Sequence, residues 1–493
     1  NKYLGPESYA IIYKREGKDP DEQKIAAPKI TPIVTNRDSQ SEFLSEIQTS
    51  QVQPIEPVFV DYKKDMSQFE AQPGIDVLYK KNETNDIFTL IYVFNTGTEN
   101  DPALNLAFNY LSYLGTDKMT AEEIASEMYD IACSFYMNAG ANQSSIQITG
   151  LSENMGKAME IVEGLIAGAK PDEAILENLK GDMLKSRADA KLNQSRCFGA
   201  LQRYLFYGGD FIRRTTLTDP ALQALTSEQL LAKIGGLMGK QHEVLYYGPQ
   251  KEAEVKSALA KHHKVAADLQ PLEKKFSTLL PTDANKVVLA QYDAKQLYYL
   301  QFSNRGEKFD VAADPEITLY NEYFGGGMNT IVFQEMREAR GLAYTAWATL
   351  ATPSNANGDY SYYAFIATQN DKMQKAVEAF DDIINNMPES EKAFGIAKEA
   401  LVSRLRTERT VKDGVLWSYL RARDLGLDAP RDKQIFEKVQ SMTLDDVKAA
   451  QQKWVKGRKY VYGILGDIQN LDLNYLKTLG PIQTVSQEEI FGY

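Results

Sequence analysis

Histidine is the scarcest chemistry-bearing residue in this chain. There are three in 493 residues: His242, His262 and His263. None begins a spaced ligand motif. His262 and His263 are neighbours, which on a helix point about 100° apart, and no acid follows either at a spacing of three or four. A metal site built from this chain's own histidines is therefore not expected. The same scarcity argues against a Ser/His/Asp or Cys/His nucleophile set, since no histidine lies near a recognisable nucleophile elbow. Cysteine is nearly absent too. Cys133 and Cys197 sit in apolar segments and read as buried free thiols, too few to indicate a redox compartment. Long apolar runs are missing. The longest, Ile87 to Phe94, is strand-sized, against the roughly 20 residues that span a bilayer. Basic charge is in deficit, 55 − 67 = −12, so neither nucleic acid nor an anionic membrane is an expected partner.

What is present is an ordinary globular composition, 43% hydrophobic and 25% charged. The length calls for two or more domains. The chain opens at Asn1, and Ser8 to Lys14 reads as one short strand. A polar stretch with prolines at 20, 28, 32, 54 and 57 follows. It has little periodicity and reads as a linker.

After the linker the chain repeats itself. Ile75-Asp76-Val77-Leu78-Tyr79 is answered by Lys286-Val287-Val288-Leu289-Ala290. Leu111 to Thr116 is answered by Tyr320 to Gly326, and Lys157 to Val162 by Lys375 to Phe380. Thr226-Ser227-Glu228-Gln229 is answered by Thr443-Leu444-Asp445-Asp446. Both of these last read as helix N-caps, with a hydroxyl for the free backbone N–H groups and acids for the dipole. The offset stays between about 209 and 218 residues. The expected fold class is α+β: two homologous repeats, each a mostly antiparallel sheet covered by helices such as Pro171 to Ala190 and Ser390 to Arg406. The expected divisions are 1–57, 58–275 and 280–493.

The second repeat carries the densest motif. Gly325-Gly326-Gly327 leads into Phe333-Gln334-Glu335-Met336-Arg337-Glu338-Ala339-Arg340-Gly341-Leu342-Ala343-Tyr344. The glycines are not a phosphate loop, because no Gly-Lys-Ser/Thr follows. They permit close backbone approach. The β-rich stretch from Tyr344 to Thr368 could offer an edge to an extended peptide, by strand addition. An arbitrary Arg and Tyr would be read as a surface ion pair, with Glu335 or Glu338, and a core residue.

This run, in this order, resembles the C-terminal half of the M16 (pitrilysin-like, inverzincin) zinc metallopeptidases. The resemblance covers nearly the whole chain and implies one half of a clamshell. Residues 1–57 would be the terminal strand of a preceding domain plus the inter-half linker. Residues 58–275 would be a first M16-like domain, in which Leu106-Ala107-Phe108-Asn109-Tyr110 stands where the His-x-x-Glu-His signature would be. Residues 280–493 would be a second domain, carrying the Arg/Tyr motif. The resemblance implies catalytic roles for Arg337 and Tyr344, holding the substrate carbonyl or its oxyanion, and a substrate-binding role for Gly325, Gly326 and Gly327. It implies no metal ligand here. Zinc would be bound by the other half, upstream in the same polypeptide or in a separate subunit, where a Glu general base acts with zinc-activated water. Peptides would be the substrates and this chain alone would be inactive. A periplasmic location is favoured by family analogy, with a cytoplasmic one left open. The alternative is a non-catalytic M16-like scaffold or core subunit of a larger complex.

Overall fold

The computed structural model describes residues 3, 5, 7–14, 17 and 41–493. Residues 1–54 and 55–493 form two separate compact units. In the first unit, Glu42–Thr49 is a helix inside the stretch read as linker. Its cap explains it: the Ser41 side chain accepts from the Leu44 N–H, and Glu42 lies in the first turn. Residues 8–14, read as a strand, have no strand partner among the described residues. Much of the remaining linker lies outside the described residues.

The second unit holds two six-stranded sheets. The first comprises Ser67–Gln72 (β1), Ile75–Lys81 (β2), Ile87–Phe94 (β3), Cys133–Ala139 (β4), Ser144–Leu151 (β5) and His242–Gly248 (β6). The second comprises Lys286–Gln291 (β7), Gln296–Lys308 (β8), Thr345–Ala351 (β9), Asp359–Gln369 (β10), Val461–Gly466 (β11) and Ile482–Val485 (β12). Their orders are β1-β2-β6-β3-β5-β4 and β12-β7-β11-β8-β10-β9. From the second position onward the two match strand for strand, which is the sequence repeat seen in space. Pairing is mostly antiparallel; β2–β6, β7–β11 and β7–β12 are parallel.

Each sheet buries one face under its own helices. In the first repeat Val77, Leu90, Tyr92 and Ile148 pack with Leu106, Met159 and Ile234. In the second, Leu289, Tyr299, Tyr362 and Ile464 pack with Ile317, Val377 and Leu401. The central strands also have an apolar opposite face, and here the repeats exchange helices. Gln194–Thr215, from the first repeat, lays Cys197, Leu201 and Leu205 on Val288, Leu300 and Leu465 of the second sheet. Gly414–Asp424, from the second repeat, lays Val415, Leu416 and Leu420 on Leu78, Ile91 and Leu245 of the first. That double cover explains why Ile87 to Phe94 is apolar almost throughout. Gly463 marks how tight the crossing is, because a Cβ there would clash with Leu205 Cδ1. The exchange is tied by Arg423, which grips the Glu243 carboxylate with both terminal nitrogens.

The expected caps form. Thr226 and Thr443 each close a capping box, with Gln229 and Asp446. The degenerate signature lies on the helix Leu104–Leu111, where Leu106, Ala107, Phe108 and Tyr110 are buried. The helix is kept, but its side chains are core.

Candidate functional site

The motif of the second repeat folds into two wide helical turns flanking β9. Helix Asp314–Tyr320 continues into a π-helical turn, Asn321–Gly325. After the glycines, Thr330 accepts the chain back by donating Oγ1–H to the Gly327 carbonyl at 2.7 Å. Helix Ile331–Phe333 then widens into a second π-helical turn, Gln334–Ala339, which carries Arg337. Such turns push side chains out of the regular helical register and recur at functional sites. Gly341 has a φ of +57° and ends the helix. Its N–H donates to the Arg337 carbonyl, and the Leu342 N–H to the Met336 carbonyl. This reversal brings Tyr344 back over the turn it has just left.

The outcome is a stacked arginine. The Arg337 guanidinium carbon sits 5.0 Å from the Phe333 ring centre and 5.0 Å from the Tyr344 ring centre. Among the described residues its guanidinium makes no hydrogen bond. Its only ion pair is a loose one, Nε to Glu338 at 3.7 Å, with both side chains 40% exposed. Tyr344 is 71% exposed, so it is not a core residue. Arg340, three residues on, is spoken for by Asp382 at 3.1 Å and Glu335 at 3.4 Å. The structure thus separates two arginines that the sequence places side by side. Phe333 was not nominated as a site residue, although it stands one helical turn before Arg337.

The three glycines divide. Gly325 is buried, and a Cβ on it would meet the Ala348 carbonyl oxygen at 2.7 Å. Gly326 and Gly327 are exposed, with nothing nearer than 3.7 and 3.6 Å to a built Cβ. Gly325 therefore serves packing against β9, while its two neighbours are available to a ligand.

Among the described residues no group of three or more His, Cys, Asp or Glu side chains could hold a metal ion. The donor set does not fit zinc in this chain. Two histidines distant in sequence do meet. His242 Nε2 and His263 Nε2 lie 2.8 Å apart, His242 Nδ1 lies 2.8 Å from the Lys240 carbonyl, and His263 Nδ1 lies 2.5 Å from Glu163. All three side chains are buried. The carbonyl can only accept, so the network assigns the proton to His242 Nδ1, and His242 Nε2 accepts from His263. Burial, then the neighbouring His263, hold His242 down at about 4. A cleft of about 750 Å³ lies beside this cluster, lined by Glu163, Met238, Lys261 and His262. None of the nominated residues lines it. No sequence spacing pointed to this cluster, because strand β6 and the end of helix Glu252–His262 supply one histidine each.

Comparisons with known proteins bear on much of the chain. Residues 241–401 match the family model described as the Peptidase M16 inactive domain. An uncharacterised zinc protease of Streptomyces coelicolor is 22% identical over 266 residues, 50% of this chain and 56% of that protein. An uncharacterised zinc protease of Rickettsia bellii is 23% identical over 309 residues, 61% of this chain and 70% of that one. The fold matches the crystal structure of a peptidase M16 inactive domain from Pseudomonas fluorescens at a TM-score of 0.64 and 18% identity, over 82% of this chain and 98% of that one. It also matches the periplasmic protease PqqL of Escherichia coli at a TM-score of 0.62 and 13% identity, over 89% of this chain and 49% of that one. The chain therefore spans little more than half of the Streptomyces relative and about half of PqqL. Residues 241–401, which run from the end of the first repeated sheet into the second, therefore match the inactive domain of the M16 peptidase family.

Proposed function

We propose that this chain is the non-metal half of an M16-type zinc peptidase. It closes over peptide substrates and contributes Arg337 and Tyr344 to a site whose zinc is held by another half. Residues 1–57 would join the halves, and residues 58–275 and 280–493 would form the two walls of this one. The observation that carries the reading is the state of Arg337. The Phe333 and Tyr344 rings each lie 5.0 Å from its guanidinium carbon, while its N–H groups meet only Glu338, loosely, among the described residues. A cation held by aromatic rings rather than by hydrogen-bond acceptors keeps its N–H donors free for a carbonyl oxygen that gains negative charge. The Tyr344 phenol, exposed beside it, supplies a second donor. Gly326 and Gly327, free of close neighbours, let a peptide backbone approach. A purely structural arginine would have been satisfied as Arg340 is.

The test is turnover of the assembled protein, this chain with the zinc-bearing half. Arg337→Ala and Tyr344→Phe are expected to lower kcat by about a hundredfold or more, the scale for losing one oxyanion donor, with zinc content unchanged. Wild-type turnover in either variant rejects the assignment. An assembly that contains zinc yet cleaves no peptide would favour the scaffold reading.

A further inference from the structure

We propose that the open edge of the first sheet, strand β4, is a docking site for an extended, positively charged peptide segment, which adds there as a seventh strand. The proposal rests on the peptide-handling reading above and names a second place where the substrate chain would be held.

An unpaired strand edge is a row of backbone donors and acceptors ready to pair with another chain, and proteins normally blunt it. The two sheets have four such edges, and three are blunted. Strand β1 carries Glu70 and a break in register between Glu70 and Gln72. Strand β12 has only four residues. Strand β9 is capped by side chain and loop. The Asn321 carboxamide donates to the Leu350 carbonyl and accepts from the Leu350 N–H, both at 2.9 Å, imitating a neighbouring strand. Gly325 seals the next position, against the Ala348 carbonyl.

Helix Leu104–Leu111 packs beside β4, but among the described residues no side chain bonds to the outward backbone groups of the strand. Its seven residues, Cys-Ser-Phe-Tyr-Met-Asn-Ala, contain no charge and no proline. Its register with β5 is unbroken from Cys133 to Ala139. The flanking bonds from the Leu151 N–H to the Ala132 carbonyl and from the Gly140 N–H to the Gln143 carbonyl set the alternation. Even-numbered residues therefore bond to β5, and the N–H and C=O groups of Phe135 and Met137 point away from the sheet. No described residue pairs with them. Tyr110 and Tyr323 bond alike to the N-cap of the next long helix, which sets Phe108, without a carboxamide, in the first repeat where Asn321 stands in the second.

The occupant is chosen by charge. Helix Ala121–Asp130 packs beside β4 and exposes Glu122, Glu127 and Asp130. Tyr129, 83% exposed, stands on the same helix as those acids, and Tyr136, 65% exposed, offers an apolar face on the other side of the sheet. Lysine or arginine side chains of an added strand fit that border. A second copy of this chain fits it poorly, since it would bring the same acids and a further net charge of −12.

The experiment is hydrogen exchange of this chain alone, with an eight-residue peptide of alternating valine and lysine as probe. The Phe135 and Met137 amides are expected to exchange freely without the probe and about tenfold more slowly with it. The same peptide N-methylated at alternate residues cannot complete the ladder and should give no protection. Met137→Pro removes one outward donor while sparing the bonds to β5, and should abolish probe binding. If that variant fails to fold, the N-methylated peptide still decides. Protection by both peptides, or by neither, overturns the proposal. So does a dimer at sedimentation equilibrium in which these amides are already protected, because a second copy would then occupy the edge. Neither result depends on the zinc half, so this proposal and the roles of Arg337 and Tyr344 fail separately.

Discussion

Strands β4 and β9 end their sheets at the same position, yet a side chain caps the backbone of one edge and not of the other. Next to β9 the chain spends an asparagine and a buried glycine on sealing the edge, and the stacked Arg337 lies a few residues further along the same chain. Next to β4 the corresponding residue is Phe108, which has no carboxamide to offer, and no described residue pairs with the edge. The cores differ in a parallel way. Glu163 and Asp381 occupy matching places, six residues beyond Lys157 and Lys375. The first bonds to a histidine, the second to the amide of Gln301. Each repeat thus keeps a carboxylate at this place, but only the first sets it against a histidine ring. A repeated fold constrains the backbone; it leaves the partner of a buried charge or of a strand edge free to diverge.

The largest expected effect comes from those cores. His242 is depressed from 6.5 to about 4, so the unfolded chain binds a proton that the folded chain refuses. Its contribution is present above pH 6.5 and is lost as pH falls towards 4, a loss of about 3 kcal/mol over the window. Asp381 is raised by burial. The folded chain then holds a proton that the unfolded one releases, so its contribution is lost as pH rises through the window above 3.8. Urea midpoints measured across acid pH should therefore show the first repeat weakening where the second does not, and His242→Gln should flatten the slope. A slope unchanged by that substitution breaks the comparison.

Gly325→Ala comes next. Its Cβ would press on the Ala348 carbonyl, which cannot leave the sheet. Overpacking of this kind costs about 2–3 kcal/mol, visible as a lower Tm. A variant as stable as wild type would mean that the seal on β9 is slack.

Asn321→Ala should cost about 1–2 kcal/mol, because two side-chain bonds to the β9 backbone are lost at a half-buried site. It also sharpens the contrast directly. With the cap gone, the Leu350 amide should exchange as the outward amides of β4 do, and β9 should begin to accept the strand-forming probe.

Most of the architecture was legible. The repeat at an offset of about 209 to 218 residues gave two sheets, and the hydroxyl–acid starts gave the caps at Thr226 and Thr443. The helix exchange was not, because an apolar face on Gln194–Thr215 looks the same whichever sheet it covers. Helix Glu42–Thr49 was missed because proline spacing dominated a stretch in which Ser41 supplies a short local cap. At the candidate site the motif singled out Arg337 and Tyr344, but not their contact, which depends on the reversal at Gly341. The role of Phe333 and the capping by Asn321 depend on π-helical turns, which shift side chains by a fraction of a turn and leave no periodic mark in the sequence. The His242–His263–Glu163 chain was invisible for a different reason, since three separate elements supply its members.

The smallest effect separates the three glycines that the sequence treats as one. Gly326→Ala and Gly327→Ala place a methyl group at ordinary van der Waals distance, 3.7 Å from Trp347 Cβ and 3.6 Å from Thr330 Cγ2. Neither position has a positive φ. Each should shift stability by less than about 0.5 kcal/mol, the usual range for surface changes, where Gly325→Ala shifts it several-fold more. If this loop touches the substrate backbone, the same two variants should raise KM in the assembled peptidase while their Tm stays put. A KM that also stays put would confine the glycine run to packing and leave substrate contact to Arg337 and Tyr344. The two readouts differ because a methyl group facing solvent perturbs nothing until a second chain must lie against it.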